Sequence, residues 1–196
     1  MQLLKKPIEF KRFKERYEKV SGLEVPMEYL ESSSVYAFKR KGEIIGGFIL
    51  NHNTPLRSFN VFLTKDKYQI ISSKFTKNEY SEVCCFWIDR KYRKKKIVSI
   101  LSWARMAYEV HRKGKKFVIY GTNSKGLANL YGYPKNSILL ESDFVNSLQT
   151  FVFIAKTKHF FLGVFEIILS KIFSKKEGGI INSQLNRNTL LNDLSN

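Results

Sequence analysis

The stretch YSEVCCFWIDRKYRKKKIVSILSWARMAYEVHR, residues 80–112, decides how the chain is read. Its opening part, Glu82 to Ile88, is rich in Val, Cys, Phe, Trp and Ile and suits a buried strand. Its closing part, Ile97 to Arg112, has helical periodicity. Ser99, Ser102, Arg105, Glu109 and Arg112 form one polar stripe at spacings of three and four. Ile97, Ile100, Leu101, Ala104, Ala107 and Tyr108 are the expected core face, and Gly114 lies just past the end as a helix stop. Between strand and helix, six of the seven residues from Arg90 to Lys96 are cationic. They crowd a helix N-terminus, which already carries the positive pole of the helix dipole and uncapped N–H groups. An anion is expected there.

Composition points the same way. The chain has 196 residues and a formal net charge of +17, with a pI near 9.8. So large an excess predicts an anionic partner: nucleic acid, an anionic membrane, an acidic protein or a phosphorylated ligand. Hydrophobic residues make up 43% and aromatics 14%, enough for one domain with a sizeable core. The only two cysteines, Cys84 and Cys85, are adjacent. In an extended strand they point to opposite faces and do not bridge. No disulfide framework, no apolar signal-peptide core and no span of about 18–20 apolar residues is visible, so a cytoplasmic location is expected. His52, His111 and His159 are scattered and make no metal-ligand spacing with the cysteines, so no metal is expected.

Outward from the central stretch, the pattern predicts a short strand in Met1–Lys5, a helix over Ile8–Val20 and a second, short helix opened by Val25-Pro26. Two strands, Val35–Lys39 and Ile44–Asn51, meet at a turn at Lys41-Gly42, and a further strand is expected within Gln69–Ser73. Downstream, a strand at Phe117–Tyr120, a helix around Lys125–Tyr131 and strands at Ile138–Leu140 and Thr150–Ala155 complete a βαβαββ succession. That alternation predicts an α/β or α+β sheet with helices on its faces. HFFLGVFEIILSKIF, His159–Phe173, is a strongly apolar helix followed by lysines, and the Gly-, Asn- and Ser-rich stretch from Glu177 reads as a tail.

With the order of elements, three short motifs resemble the GNAT superfamily, the N-acetyltransferase fold, over about Met1 to Lys156. Arg93-Lys94-Lys95-Lys96-Ile97-Val98 falls on that family's Gln/Arg-x-x-Gly-x-Gly/Ala loop, whose backbone N–H groups hold the pyrophosphate of acetyl-CoA. The arginine matches, but both glycines are replaced, by Lys96 and Val98. Glu82 lies eleven residues before Arg93, where a strand glutamate acts as general base in the histone-acetyltransferase branch. NSKGLANLYGYPKN, Asn123–Asn136, is similar to the family's Asn-x-x-Ala-x-x-x-Tyr-x-x-x-Gly-Phe segment and puts Tyr131 on the tyrosine that protonates the departing thiolate. The spacing departs by one residue, since the family asparagine would fall on Ser124 rather than Asn123.

The resemblance implies a mixed, mostly antiparallel sheet flanked by helices: a domain over 1–156, an added apolar helix over 157–176 and a tail over 177–196. It implies an acyltransferase that moves an acetyl or other acyl group from acyl-CoA to an amine. Glu82 and Tyr131 would be catalytic. Ile88, Arg93, Lys94, Lys95, Lys96, Ile97, Val98 and Asn123 would bind the donor between the fourth and fifth strands. The acceptor would be set by the first two helices and Asn51–Phe59. Other readings stay open. Acyl-homoserine lactone synthases, members of the same superfamily, draw on acyl carrier protein, an acidic partner that a +17 surface would steer into contact. The cations could instead form a nucleic-acid patch, although no zinc pattern or RNA-recognition signature is present. Each of the three motif residues also has a plainer role: a solvated turn, an exposed strand-end glutamate, and a tyrosine packing helix on sheet. The apolar helix at 159–173 fits docking on the domain or a homodimer interface, or peripheral membrane contact through Phe160, Phe161, Phe165, Ile168 and Leu169.

Overall fold

A computed structural model describes residues 1–53, 56–72, 79–132, 137–145 and 148–173. Alternating apolar residues produce seven strands among them: β1 (Gln2–Leu3), β2 (Ser34–Arg40), β3 (Glu43–Asn51), β4 (Tyr80–Ile88), β5 (Phe117–Thr122), β6 (Ser137–Val145) and β7 (Leu148–Lys156). They form one sheet in the order β1-β2-β3-β4-β5-β7-β6. Every neighbouring pair is antiparallel except β4–β5. That parallel pair needs a crossover, which the central helix supplies. The fold is the α/β sheet with helices on its faces that the element order predicts, mixed and mostly antiparallel as the family resemblance implies.

Helices cover both faces. On one lie α1 (Pro7–Ser21), α2 (Met27–Glu31) and α3 (Arg57–Phe62); on the other α6 (Lys96–Arg112) packs beside α8 (Thr157–Phe173). The short helices α4 (Lys65–Ser72), α5 (Arg90–Arg93) and α7 (Lys125–Gly132) complete the set. Strand alternation feeds both cores. Val35 and Ala37 of β2 face α1 and α2, whereas Tyr36 and Phe38 face α6. Phe13 of α1 is fully buried against Tyr17 and Trp87, ring centroids 6.4 and 6.0 Å away. Truncating such a side chain costs about 3–5 kcal/mol.

Three expectations are corrected. The segment expected to hold a strand within Gln69–Ser73 is helical through Ser72, as α4, with Asp66 in its first turn. The adjacent Ile70-Ile71 suggested a strand, but two β-branched residues do not outweigh a helix-forming run with an acid at its N-terminus. The faces of α6 are also redistributed. Ile97, Leu101 and Tyr108 are exposed, while Ser102 and Glu109 are buried. Burial of the polar pair is made good by specific partners. Ser102 donates to the Val98 carbonyl at 2.8 Å. Glu109 pairs with Arg105 at 3.1 Å and Arg112 at 2.7 Å, and accepts from the Tyr36 hydroxyl at 3.2 Å.

The third correction concerns the cysteines. β4 carries one extra residue against β3, because Gly47 pairs with Trp87 and Ile49 with Cys84. This bulge puts Cys85 at φ +52° and interrupts the alternation. Cys84 and Cys85 therefore point to the same face, into the core under α1, as two unbridged thiols.

The C-terminal apolar helix docks on the domain. Phe160, Val164, Ile167 and Ile168 are buried, whereas Leu162, Phe165 and Leu169 are exposed. Of the residues expected to meet a membrane, Phe160 and Ile168 are in the core and Phe161 packs against it. No described helix is long and apolar enough to cross a membrane. The tail from 177 lies outside the described residues.

Candidate functional site

The sheet is opened at its centre. β4 and β5 pair from Tyr80–Phe117 only as far as Val83–Tyr120. Beyond that, β4 follows β3 to Ile88 and β5 follows β7 to Thr122. The two strands diverge and leave a cleft of about 260 Å³ between them. Val83, Phe86, Trp103, Met106, Tyr120 and Phe160 line it with apolar surface. Arg93, just ahead of α6, and Asn123 and Ser124, at the β5–α7 junction, also line it. A Cβ on Gly121 would run into the Phe62 ring, so glycine there lets α3 close one wall.

The cationic run is partly organised from within. Asp89 caps α5 by accepting from the Lys91 N–H at 3.1 Å. Arg93 Nε donates to the Ile88 carbonyl at 2.6 Å, which ties the loop to the end of β4. Arg40, Lys91 and Lys95 sit over the Tyr92 ring at 5.6, 5.1 and 5.7 Å, contacts worth about 0.5–1 kcal/mol each at the surface. Lys94, Lys95, Lys96 and Ile97 are exposed, and no side chain caps α6 at Lys95. Val98 packs against the core beneath the helix. The first turn of α6 thus presents backbone N–H groups ringed by lysines.

Glu82 is placed unlike a surface glutamate. It is fully buried. Its carboxylate accepts from the Tyr29 hydroxyl at 2.6 Å, Asn51 Nδ2 at 3.3 Å, the Arg57 N–H at 3.1 Å and the Ser58 N–H. It caps α3 from the neighbouring strand and ties that helix to α2 and β3. Tyr29 also contacts Cys84 Sγ at 3.1 Å. Burial pushes the Tyr29 phenol well up, and nearby Cys84 and Glu82 add to the effect.

Arg57 is the residue that sequence reasoning missed within the Asn51–Phe59 segment. Its guanidinium donates to the Glu24 carbonyl, and it lines the cleft together with Tyr17 and Cys85. Burial opposes ionisation of Cys85, but hydrogen bonds from Cys84, Tyr17 and Arg57, with the charge of Arg57, hold its thiol below the usual range. Cys84 shifts the opposite way, raised by burial and by its neighbour. Arg57 also borders a second cavity of about 350 Å³, where Glu28, Tyr29, Asn51, Asn53 and Asn60 provide polar lining.

Of the expected site residues, the fold brings Arg93 and Asn123 to the cleft, leaves Lys94, Lys95, Lys96 and Ile97 exposed ahead of and at the start of α6, and buries Glu82 against α2 and α3. Ile88 is buried and contributes its carbonyl. Tyr131 lies on α7, its side chain outside the described residues. Tyr17, Tyr29 and Arg57 carried no signal beyond their place in the acceptor-side segments, because their partners are remote in sequence.

No protein-family model matches the chain, and no curated protein sequence does. Solved structures do. MesI, a CoA-dependent acyl-homoserine lactone synthase, aligns with a TM-score of 0.58 at 10% identity over 90% of this chain and 92% of that one. FeeM, an N-acyl amino acid synthase from uncultured soil microbes, aligns with a TM-score of 0.57 at 9% identity over 81% of this chain and 95% of that one. A putative GNAT-family acetyltransferase from Desulfovibrio desulfuricans aligns with a TM-score of 0.51 at 8% identity, covering 80% and 97%. Identities this low speak to fold and not to activity. With its sheet opened between β4 and β5 over a cationic helix start, the chain has a GNAT-like, N-acetyltransferase fold.

Proposed function

We propose that the chain is an acyltransferase that moves an acyl group from a thioester donor to an amine. The observation that carries this is the divergence of β4 from β5 beyond Val83 and Tyr120. Strands that part in mid-sheet leave backbone N–H and C=O groups facing a gap, and such groups seek partners. The amide-bearing pantetheine arm of an acyl donor matches them as an added strand would. The apolar lining of the cleft suits the acyl chain. At its mouth, the N–H groups of the first turn of α6 and the surrounding lysines suit the donor's phosphates. The anion called for by the Arg90–Lys96 cations is then a pyrophosphate.

The cavity beside Tyr29, Asn51 and Arg57 is the acceptor side. Its amides and charged groups suit a small polar amine such as an amino acid, and the likeness to an N-acyl amino acid synthase supports the same choice. Glu82 draws the amine proton through Tyr29, whose hydroxyl it already holds at 2.6 Å. Tyr131, on α7, protonates the departing thiolate, and Asn123, at the cleft, helps hold the donor. An acyl carrier protein as donor is a second reading, favoured by the +17 charge and by the missing loop glycines. Exposed Phe165 and Leu169 leave room for a homodimer or membrane contact, with the protein otherwise cytoplasmic.

The test is thermal stability with CoA, acetyl-CoA, octanoyl-CoA and a polyphosphate control, followed by CoA release in the presence of mixed amino acids. A donor at about a hundred times its dissociation constant stabilises the fold by roughly 2.7 kcal/mol. Stabilisation specific to the CoA compounds is expected, and converting Lys94, Lys95 and Lys96 together to Ala should weaken it about tenfold or more. Equal stabilisation by every polyanion would instead favour a nucleic-acid or other anion-binding module.

A further inference from the structure

Cys85 occupies a backbone conformation that non-glycine residues seldom adopt, at φ +52°. Strain of this kind persists where the surrounding structure over-determines it, often at a working site. The bulge that creates it starts just past Val83, the last β4 residue paired with β5. Cys85 therefore stands where the sheet begins to open, and it lines the cleft. Its sulfur is not an isolated thiol. Tyr17, Arg57 and Cys84 line the same part of the cleft. Arg57 lines both the cleft and the polar cavity beside Tyr29. The Cys85–Arg57 pair thus marks the junction of the two spaces that hold donor and acceptor in the function proposed above.

We infer that Cys85 is a catalytic nucleophile that carries the acyl group as a thioester between donor and acceptor. The inference rests on the acyl-transfer function. In the first step the Cys85 thiolate attacks the donor carbonyl carbon, forming a new C–S bond. The old C–S bond breaks and the donor thiolate departs. In the second step a neutral amine attacks the Cys85 thioester. The amide bond forms, the C–S bond to Cys85 breaks and the Cys85 thiolate returns beside Arg57. The proton lost by the amine passes to Tyr29 and Glu82, and finally balances the donor thiolate released in the first step. The sum is donor thioester plus amine giving amide plus donor thiol, with no oxidant or further reactant. Arg57 is a positioning residue whose charge favours the ionised form of the sulfur.

The experiment uses the full chain with octanoyl-CoA or acetyl-CoA and no amine. Acid quenching on the millisecond-to-minute scale, intact mass and peptide fragmentation follow the protein, while CoA release is followed in parallel. The expected result is a burst of CoA up to one equivalent and one acyl group on Cys85, removable by neutral hydroxylamine. Adding the amino-acid mixture should discharge it at least as fast as steady-state CoA release. Cys85→Ala should abolish the adduct and lower turnover about a hundredfold or more. Because Ala also disfavours φ +52°, Cys85→Gly, which accepts that backbone, is run beside it. Arg57→Gln should move the pH midpoint of adduct formation upward, with Arg57→Lys restoring part of the shift. Product formed with no adduct, or with Cys85→Gly turning over within twofold of the parent chain, overturns the inference and leaves the acyltransferase function standing. Failure of both CoA compounds to stabilise or react with the parent chain removes the two together.

Discussion

Glu82 holds Tyr29, Asn51 and the first two N–H groups of α3 on a single buried carboxylate. Replacing one carboxylate oxygen by an amide NH2 turns an acceptor toward donors, which leaves buried N–H groups unmet. Glu82→Gln is therefore expected to lower unfolding free energy by about 2–3 kcal/mol, measured by urea denaturation. Tyr29→Phe removes only one of the four bonds and should cost about 1 kcal/mol, yet it cuts the proposed proton route completely. A large loss of turnover in Tyr29→Phe at little cost in stability would separate a proton path from a scaffold. Equal, small losses in both quantities would assign Glu82 to scaffolding alone. The sequence offset that pointed to Glu82 could not show its four donors, which lie between 24 and 53 residues away in the chain.

Among the elements, α6 departs most from its own periodicity. Seen alone, Ile97, Leu101 and Tyr108 make an apolar face, and Ser102 and Glu109 a polar one. The docking of α6 is instead set by neighbours: Trp103, Met106 and Val110 enter the core, and Glu109 follows them because Tyr36, 73 residues earlier, and two arginines receive it. Two outcomes follow that reverse intuition. The double change Ile97→Ser with Leu101→Ser should shift stability by less than about 1 kcal/mol, since both are exposed. Glu109→Ala, on the nominally polar stripe, should cost about 1–2 kcal/mol because it leaves the buried Tyr36 hydroxyl without its acceptor. Thermal and urea unfolding of the two variants checks both. The same limit explains the cysteine bulge: β4 alternates well enough to be recognised as a strand, but an extra residue shows only in its register against β3. Most of the element succession and the cationic turn before α6 were legible because they are local patterns. Arg57, α4 and the faces of α6 were not, because long-range partners or weak propensities decide them.

At the scale of the whole molecule, a net charge of +17 sets how fast an anionic donor arrives more than how tightly it stays. The association rate with acyl-CoA should fall several-fold between 50 and 300 mM salt, while dissociation changes less. The charge is also consistent with an acidic carrier protein reaching the same mouth. The opening of the sheet has a further effect, visible without any ligand chemistry. β4 lies in the middle of seven strands, where amides are normally the slowest in a protein to exchange with deuterium. From Cys84 to Ile88, however, its gap-facing amides have no β5 partner. They should exchange at rates typical of a sheet edge, next to β3-facing amides of the same strand that barely exchange. Filling the cleft should erase that contrast, so protection along one strand would report occupancy directly.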